Sequence, residues 1–180
     1  MPIVAATTLG DTFMKRCILI AISLLVSLAA AGQPAATADT AAPALVGTWT
    51  LVAADVIHRD GSRGHDYGNE PKGLLIIDTQ GHYSLQIYDS LRPHYASGDR
   101  ARGTATEYQA NALGISTHFG TIKVDAAAGV LTFNVESASF PNQDGQQQRR
   151  VYKLDGDELS YRVQARPNGD VPVSVWRRLE

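Results

Sequence analysis

Cysteine is almost missing from this chain: Cys17 is the only one among 180 residues. A single thiol forms no intramolecular disulfide and no thiolate metal site. The charge balance is equally spare, with 16 Lys+Arg against 18 Asp+Glu and a formal net charge of −2. That leaves no electrostatic footprint for nucleic acid or an anionic membrane, and the pairs Arg149-Arg150 and Arg177-Arg178 are too short to make a basic patch. The chain has no Gly-rich phosphate loop and no Gly-x-Ser-x-Gly. Its five histidines (58, 65, 82, 94 and 118) never fall as a ligand pair on one strand or helix, so neither metal nor cofactor is expected. No apolar run reaches the ~20 residues of a spanning helix, so no integral membrane anchor is expected. What remains is a chain 44% hydrophobic and 19% charged, apolar enough to fold and of a length for one domain plus a targeting segment.

The targeting segment is legible. Met14-Lys15-Arg16 precedes an apolar run from Cys17 to Ala31 that ends in Ala29-Ala30-Ala31-Gly32. A positive start, a short apolar core and small residues at −3 and −1 form a secretory signal. Residues 1–31 are therefore expected to be a signal peptide, with Met14 an alternative start, and the protein is expected to be exported, periplasmic or secreted. Cleavage after Ala31 would remove Cys17 as well. Residues 32–44 are mainly Ala, Thr, Gln and Pro and are expected to be a flexible linker.

From Leu45 to Glu180 the punctuation is that of hairpins: Asp60-Gly61, Gln80-Gly81, Ala128-Gly129, Asp144-Gly145, Asp155-Gly156 and Asn168-Gly169. Alternating β-branched and aromatic runs between them predict eight strands, near 46–57, 72–78, 82–89, 116–125, 129–138, 148–154, 158–165 and 172–179. Thr104-x-x-Glu107 has the capping-box form and Gly114 a stop, which predicts one short helix over about 105–113, carrying an apolar stripe of Tyr108, Ala112 and Leu113. The fold class is all-β: an eight-stranded antiparallel up-and-down barrel with a helix between the third and fourth strands. Tight connections alternate with long ones, so the turns close one end and the loops 58–71, 90–115 and 139–147 form a rim at the other.

Register follows from requiring one apolar face. It sets Val124 against Leu131, Ile122 against Phe133, His118 against Ser137, Phe133 against Tyr152, Val135 against Arg150, Ser137 against Gln148 and Tyr152 against Tyr161. Trp176 is expected inward, against Tyr161, and Glu136 outward unless a bulge before Pro141 turns it.

Against this frame Gly47-x-Trp49, opening the first strand, resembles the lipocalins. That resemblance implies a Trp plugging the closed base under a late Arg, here Arg178 or Arg177, in a cation–π contact. The series Tyr67-Gly68-x-x-Pro71-x-Gly73, Gly81-x-x-Ser84-x-Gln86, Arg92-Pro93, Phe140-Pro141-Asn142, Gly145 and Arg150 is similar to the bacterial and fungal lipocalin-like domain family, over roughly residues 45–179. The chain departs from classical lipocalins in lacking their disulfides and in carrying a helix within the barrel sequence.

The register gathers His118, Ser137, Gln148 and Arg150 on the inward face near the rim, above Phe133, Tyr152 and Tyr161. These seven are the candidate ligand-binding residues: an apolar cup with a few convergent polar groups is the usual form of a small-molecule site. Arg150 suits a carboxylate, phosphate or enolate oxygen, and His118 a proton transfer near neutral pH. Tyr67, Arg92, His94 and Tyr95 belong to the rim, as lid or as loop packing. The expected partner is a small hydrophobic or amphipathic molecule bound by a monomer, with binding preferred to catalysis. Two alternatives stay open: a cyclase or isomerase using the cup as an entropy trap, and an envelope interaction module whose barrel is filled by its own side chains.

Overall fold

Positive-φ glycines at 81, 129 and 156 make three tight turns, and the strands they join are the backbone of the molecule. The computed structural model describes residues 43–179; the expected signal peptide and residues 32–42 of the expected linker lie outside them. The elements are β1 (Gly47–Ile57), β2 (Arg63–Gly64), β3 (Lys72–Ile77), β4 (His82–Tyr88), α1 (Ala105–Leu113), β5 (Ile115–Asp125), β6 (Val130–Ala138), β7 (Gln147–Asp155), β8 (Glu158–Arg162) and β9 (Val171–Arg178). Antiparallel pairing runs β1-β3-β4-β5-β6-β7-β8-β9 and β9 returns to β1, which closes an eight-stranded barrel. The two-residue β2, unforeseen inside the first long loop, pairs with the rim end of β1 through Val56 and Gly64. Closure removes every long sheet edge, so a cysteine-free domain presents no template for edge pairing.

The helix lies where its capping box places it. The Thr104 hydroxyl accepts from the Glu107 N–H, and the Glu107 carboxylate accepts from the Thr104 N–H at 2.7 Å. Its expected apolar stripe is not a buried face, because Leu113 is 71% exposed and Tyr108 instead gives its hydroxyl to the Arg100 carbonyl.

At the base the Trp49 ring lies under Arg178, whose guanidinium carbon is 4.0 Å from the ring centroid. Gly47 makes this approach possible. Its φ is +140°, and a Cβ there would meet Arg178 Nη1 at 2.8 Å. Thus the Gly-x-Trp spacing has a local cause: the residue two before the Trp must leave room for the guanidinium covering it. Pro43 and Ala44, assigned to the linker by composition, are ordered here in a 3-10 turn, and the Ala44 carbonyl accepts from Arg178 at 2.5 Å.

Three of the expected pairings hold, and two stretches shift. Val124 faces Leu131, Ile122 faces Phe133, and Tyr152 faces Tyr161. Between β5 and β6 a bulge intervenes after Phe119, so Phe119 rather than His118 faces Ser137, and His118 faces Ala138. One inserted residue turns Ser137 out of the barrel, onto the face where Phe119 is 47% exposed, and Glu136 is exposed at the bulge itself. Between β6 and β7 the register moves by four residues: Phe133 faces Gln148 and Leu131 faces Arg150. The reason is barrel stagger. The connecting loop folds back so that the Val135 backbone bonds Gly145 and Gln146, and the end of β6 runs on past β7. An even shift keeps each side chain on its face but lowers Arg150 toward mid-barrel. Trp176 points inward and is fully buried, yet it faces Leu159, while Tyr161 faces Ser174.

The bulge depends on Gly120, which holds φ +154° and where a Cβ would meet the Asn134 carbonyl oxygen at 2.1 Å. Backbone on both sides leaves no room to yield. Gly120→Ala is therefore expected to destabilise the barrel by about 2 kcal/mol or more, measured as a lowered midpoint and free energy in urea unfolding.

Candidate functional site

Below mid-height the barrel is full. Trp49, Leu75, Leu131, Phe133, Leu159 and Trp176 are each sealed from solvent. Phe133 packs edge-on against both Tyr83 and Tyr161, with centroids 4.8 and 5.8 Å apart. On this aromatic floor lies Arg150, its guanidinium carbon 4.1 Å from the Phe133 centroid and 4.9 Å from that of Tyr161.

Arg150 is 5% exposed and His118 4%. Arg150 Nη2 donates to Gln148 Oε1 at 2.6 Å and to His118 Nε2 at 3.1 Å. A guanidinium only donates, so His118 Nε2 must be the acceptor and its proton sits on Nδ1. Nδ1 then donates to the Tyr83 hydroxyl, 2.8 Å away. Burial first, and the Arg150 charge second, push the His118 pKa down to about 3. Burial likewise raises Tyr83. The stack Gln148–Arg150–His118–Tyr83 thus holds one positive charge and no negative one. His118 is not poised to exchange a proton near neutral pH, contrary to its sequence reading, and both of its nitrogens are already engaged.

Above the floor opens a cavity of about 350 Å³, at the small end of ligand pockets. Its walls mix apolar residues (Leu85, Ile87, Phe140, Val163) with Ser116, Gln164, Ser174 and three of the stack, His118, Gln148 and Arg150. Loops bring further charge to the mouth. Arg166 is bonded to Asp66 from a different loop, and Asp55 is held by Arg63 and His65, each at 2.9 Å. Each carboxylate at the mouth thus has its own cation, and among the described residues none pairs with Arg150. Among the same residues Arg150 Nε finds no acceptor in its buried position, and neither the Tyr161 hydroxyl nor Trp176 Nε1 beneath finds a partner. An unpaired buried ion costs several kcal/mol, and two ring faces return only about 1–2 kcal/mol each. Arg150 is therefore stabilised incompletely by the protein alone.

The structure brings together three of the seven sequence candidates, His118, Gln148 and Arg150, at the cavity. Phe133 and Tyr161 lie in the floor beneath Arg150 rather than on the cavity wall. Tyr152 sits lower, half-buried beside the base turn, where its N–H donates to the Gly129 carbonyl. Ser137 is outside. Of the rim residues, Tyr67 lines the cavity, whereas Arg92 stacks on Tyr88 at 4.7 Å and Tyr95 on Tyr108 at 5.7 Å, as loop packing; His94 is exposed. Tyr83, the fourth member of the stack, was missed, although its alternation with Leu85 and Ile87 already marked it as inward; so were Ser116, Gln164 and Ser174 on the cavity wall. No group of three His, Cys, Asp or Glu among the described residues is arranged to hold a metal ion.

Residues 46–179 match the lipocalin-like domain family. Comparison with the curated proteins finds no match. Among solved structures, a lipocalin-like protein from Bacteroides uniformis is similar at 14% identity, covering 76% of this chain and 99% of that one, with a TM-score of 0.39. A redesigned β-barrel is similar at 11% identity, over 76% and 93% of the two chains, with a TM-score of 0.39. Fatty-acid-binding protein 1 of Echinococcus granulosus is similar at 14% identity, over 76% and 98%, with a TM-score of 0.35.

The depressed His118 pKa ties stability to acid. Between its ordinary value of 6.5 and about 3, the unfolded chain takes up a proton at this site that the folded chain does not, so stability falls as pH falls. Each pH unit in that window removes up to about 1.4 kcal/mol. His118→Gln abolishes this share of the pH dependence. The stability difference between native chain and variant, measured in urea, should move by roughly 2–3 kcal/mol in the variant's favour from pH 7 to pH 4.5.

Proposed function

The chain belongs to the lipocalin-like domain family, and we propose that its barrel is a half-open cup that takes up a small amphipathic molecule at the rim end. Family membership supplies a shape and no ligand. The observation that carries the reading is the cavity of about 350 Å³ between a sealed aromatic floor and the long loops, with a buried polar stack set into its lower wall. Leu85, Ile87, Phe140 and Val163 offer apolar surface, on which burial contributes ~25 cal/mol per Å². Gln148 and Arg150 offer a polar end that fixes orientation.

The two alternatives are less well supported. Acid–base catalysis needs a free basic nitrogen near neutrality, and His118 has both nitrogens engaged and a pKa of about 3. A barrel filled by its own side chains describes the lower half only. The Met14–Gly32 pattern supports a cup that works outside the cytoplasm, periplasmic or secreted.

Expression of the whole gene, purification from the periplasm and paired native and denaturing mass spectra test this reading. An extra mass of a few hundred daltons or less in the native spectrum alone is expected, together with a mature chain beginning near Gly32. An unladen spectrum, with no thermal shift across a panel of small amphipathic acids, alcohols and amines, would refute the carrier.

A further inference from the structure

Resting on the carrier reading, we infer that the site selects a compact organic monoanion, which enters head-first and seats its carboxylate on Arg150. Four observations converge on this chemistry. The first is charge. Arg150 is 95% removed from solvent, its protein acceptors Gln148 and His118 are neutral, and no carboxylate among the described residues pairs with it. The second is donor count. Nη2 uses both hydrogens on those two acceptors, Nε has none, and the two hydrogens of Nη1 are unclaimed by the described residues. A carboxylate is the acceptor that answers both the charge and the free hydrogens, with charge-assisted bonds stronger than neutral ones.

The third is depth. Arg150 faces Leu131 across the sheet and lies directly on Phe133 and Tyr161, beneath which the barrel is full. A molecule that reaches Arg150 has gone as far as the barrel allows, so its apolar body must fit above, between Leu85, Ile87 and Phe140. A long acyl chain has no channel to occupy. The fourth is the mouth. Asp55 and Asp66 line it and are neutralised by their own cations, Arg63 and Arg166. A second negative charge on the ligand would sit near these carboxylates with no spare cation to meet it.

Calorimetric titration of the purified mature protein with 4-phenylbutyrate, its primary amide and palmitate tests the inference. The acid should bind at least about tenfold more tightly than the amide, the difference a charged hydrogen bond supplies. Palmitate should bind no better than the amide. In Arg150→Gln the acid should lose its advantage, and in Arg150→Lys it should keep part of it. The acid–amide comparison is read on the unaltered chain, so it stands even where a variant folds poorly. Equal binding of acid and amide would overturn anion selection while leaving the carrier intact. A preference for palmitate would overturn the compact ligand. No binding of any probe, beside a neutral molecule captured in the native spectrum, would overturn the inference and spare the carrier.

Discussion

A guanidinium laid on two aromatic faces halfway down the barrel divides this protein in two. Below Arg150 the interior is a packed core of Phe133, Tyr161, Trp176 and the aliphatic residues around them. Above it the walls part into the cavity. Arginine suits that boundary where lysine would not. Its planar cation stacks on rings, is less strongly hydrated than an ammonium, and presents donors in a fixed fork. One arm of the fork holds Gln148 and His118, which sets the ring orientation of the histidine and, through it, the hydrogen bond to Tyr83.

The same pairing of arginine and aromatic ring occurs at the base, and the contrast is informative. Arg178 covers Trp49, but each of its three nitrogens has an acceptor: the Val46 and Ala44 carbonyls and the Asp157 carboxylate. That is a structural arginine with its charge compensated, partly exposed and closing the floor of the barrel. Arg150 is deeper, contacts two rings, and has neutral acceptors for one nitrogen only. Two cations in one barrel, stacked alike and satisfied differently, separate the closed end that holds the fold from the end that opens into the cavity.

Much of the architecture could be read from residues because the constraints are local. Turn glycines fix where strands end, alternation fixes which side chains point inward, and the Thr104–Glu107 box fixes the helix start. Registers set by two-residue turns, such as Tyr152 against Tyr161, followed directly. Two features required information that no short window holds. The bulge at Gly120 depends on backbone approaching from Asn134, and it moved Ser137 from the inner face to the outer. The four-residue slide of β7 depends on the stagger of the closed barrel, and it carried Arg150 from the rim down to the floor. Face was legible because it has period 2; height was not, because an even slide leaves the pattern of faces unchanged. Candidate residues chosen by face therefore met at the cavity only where their heights agreed.

Height also decides what the histidine can do. At the rim, His118 would be wetted and free to titrate beside an arginine some distance away. At its actual depth it is buried beside the arginine, and two cations there would repel in a medium of low effective dielectric. The lower-energy arrangement keeps the imidazole neutral, its Nε2 lone pair turned to the guanidinium and its Nδ1 proton given to Tyr83. The stack consequently carries the same single positive charge across the whole range from mild acid to mild base. A switch would need that charge to change with pH. A receptor for an anion needs it to stay, and the burial that removes His118 from acid–base chemistry is what keeps it constant.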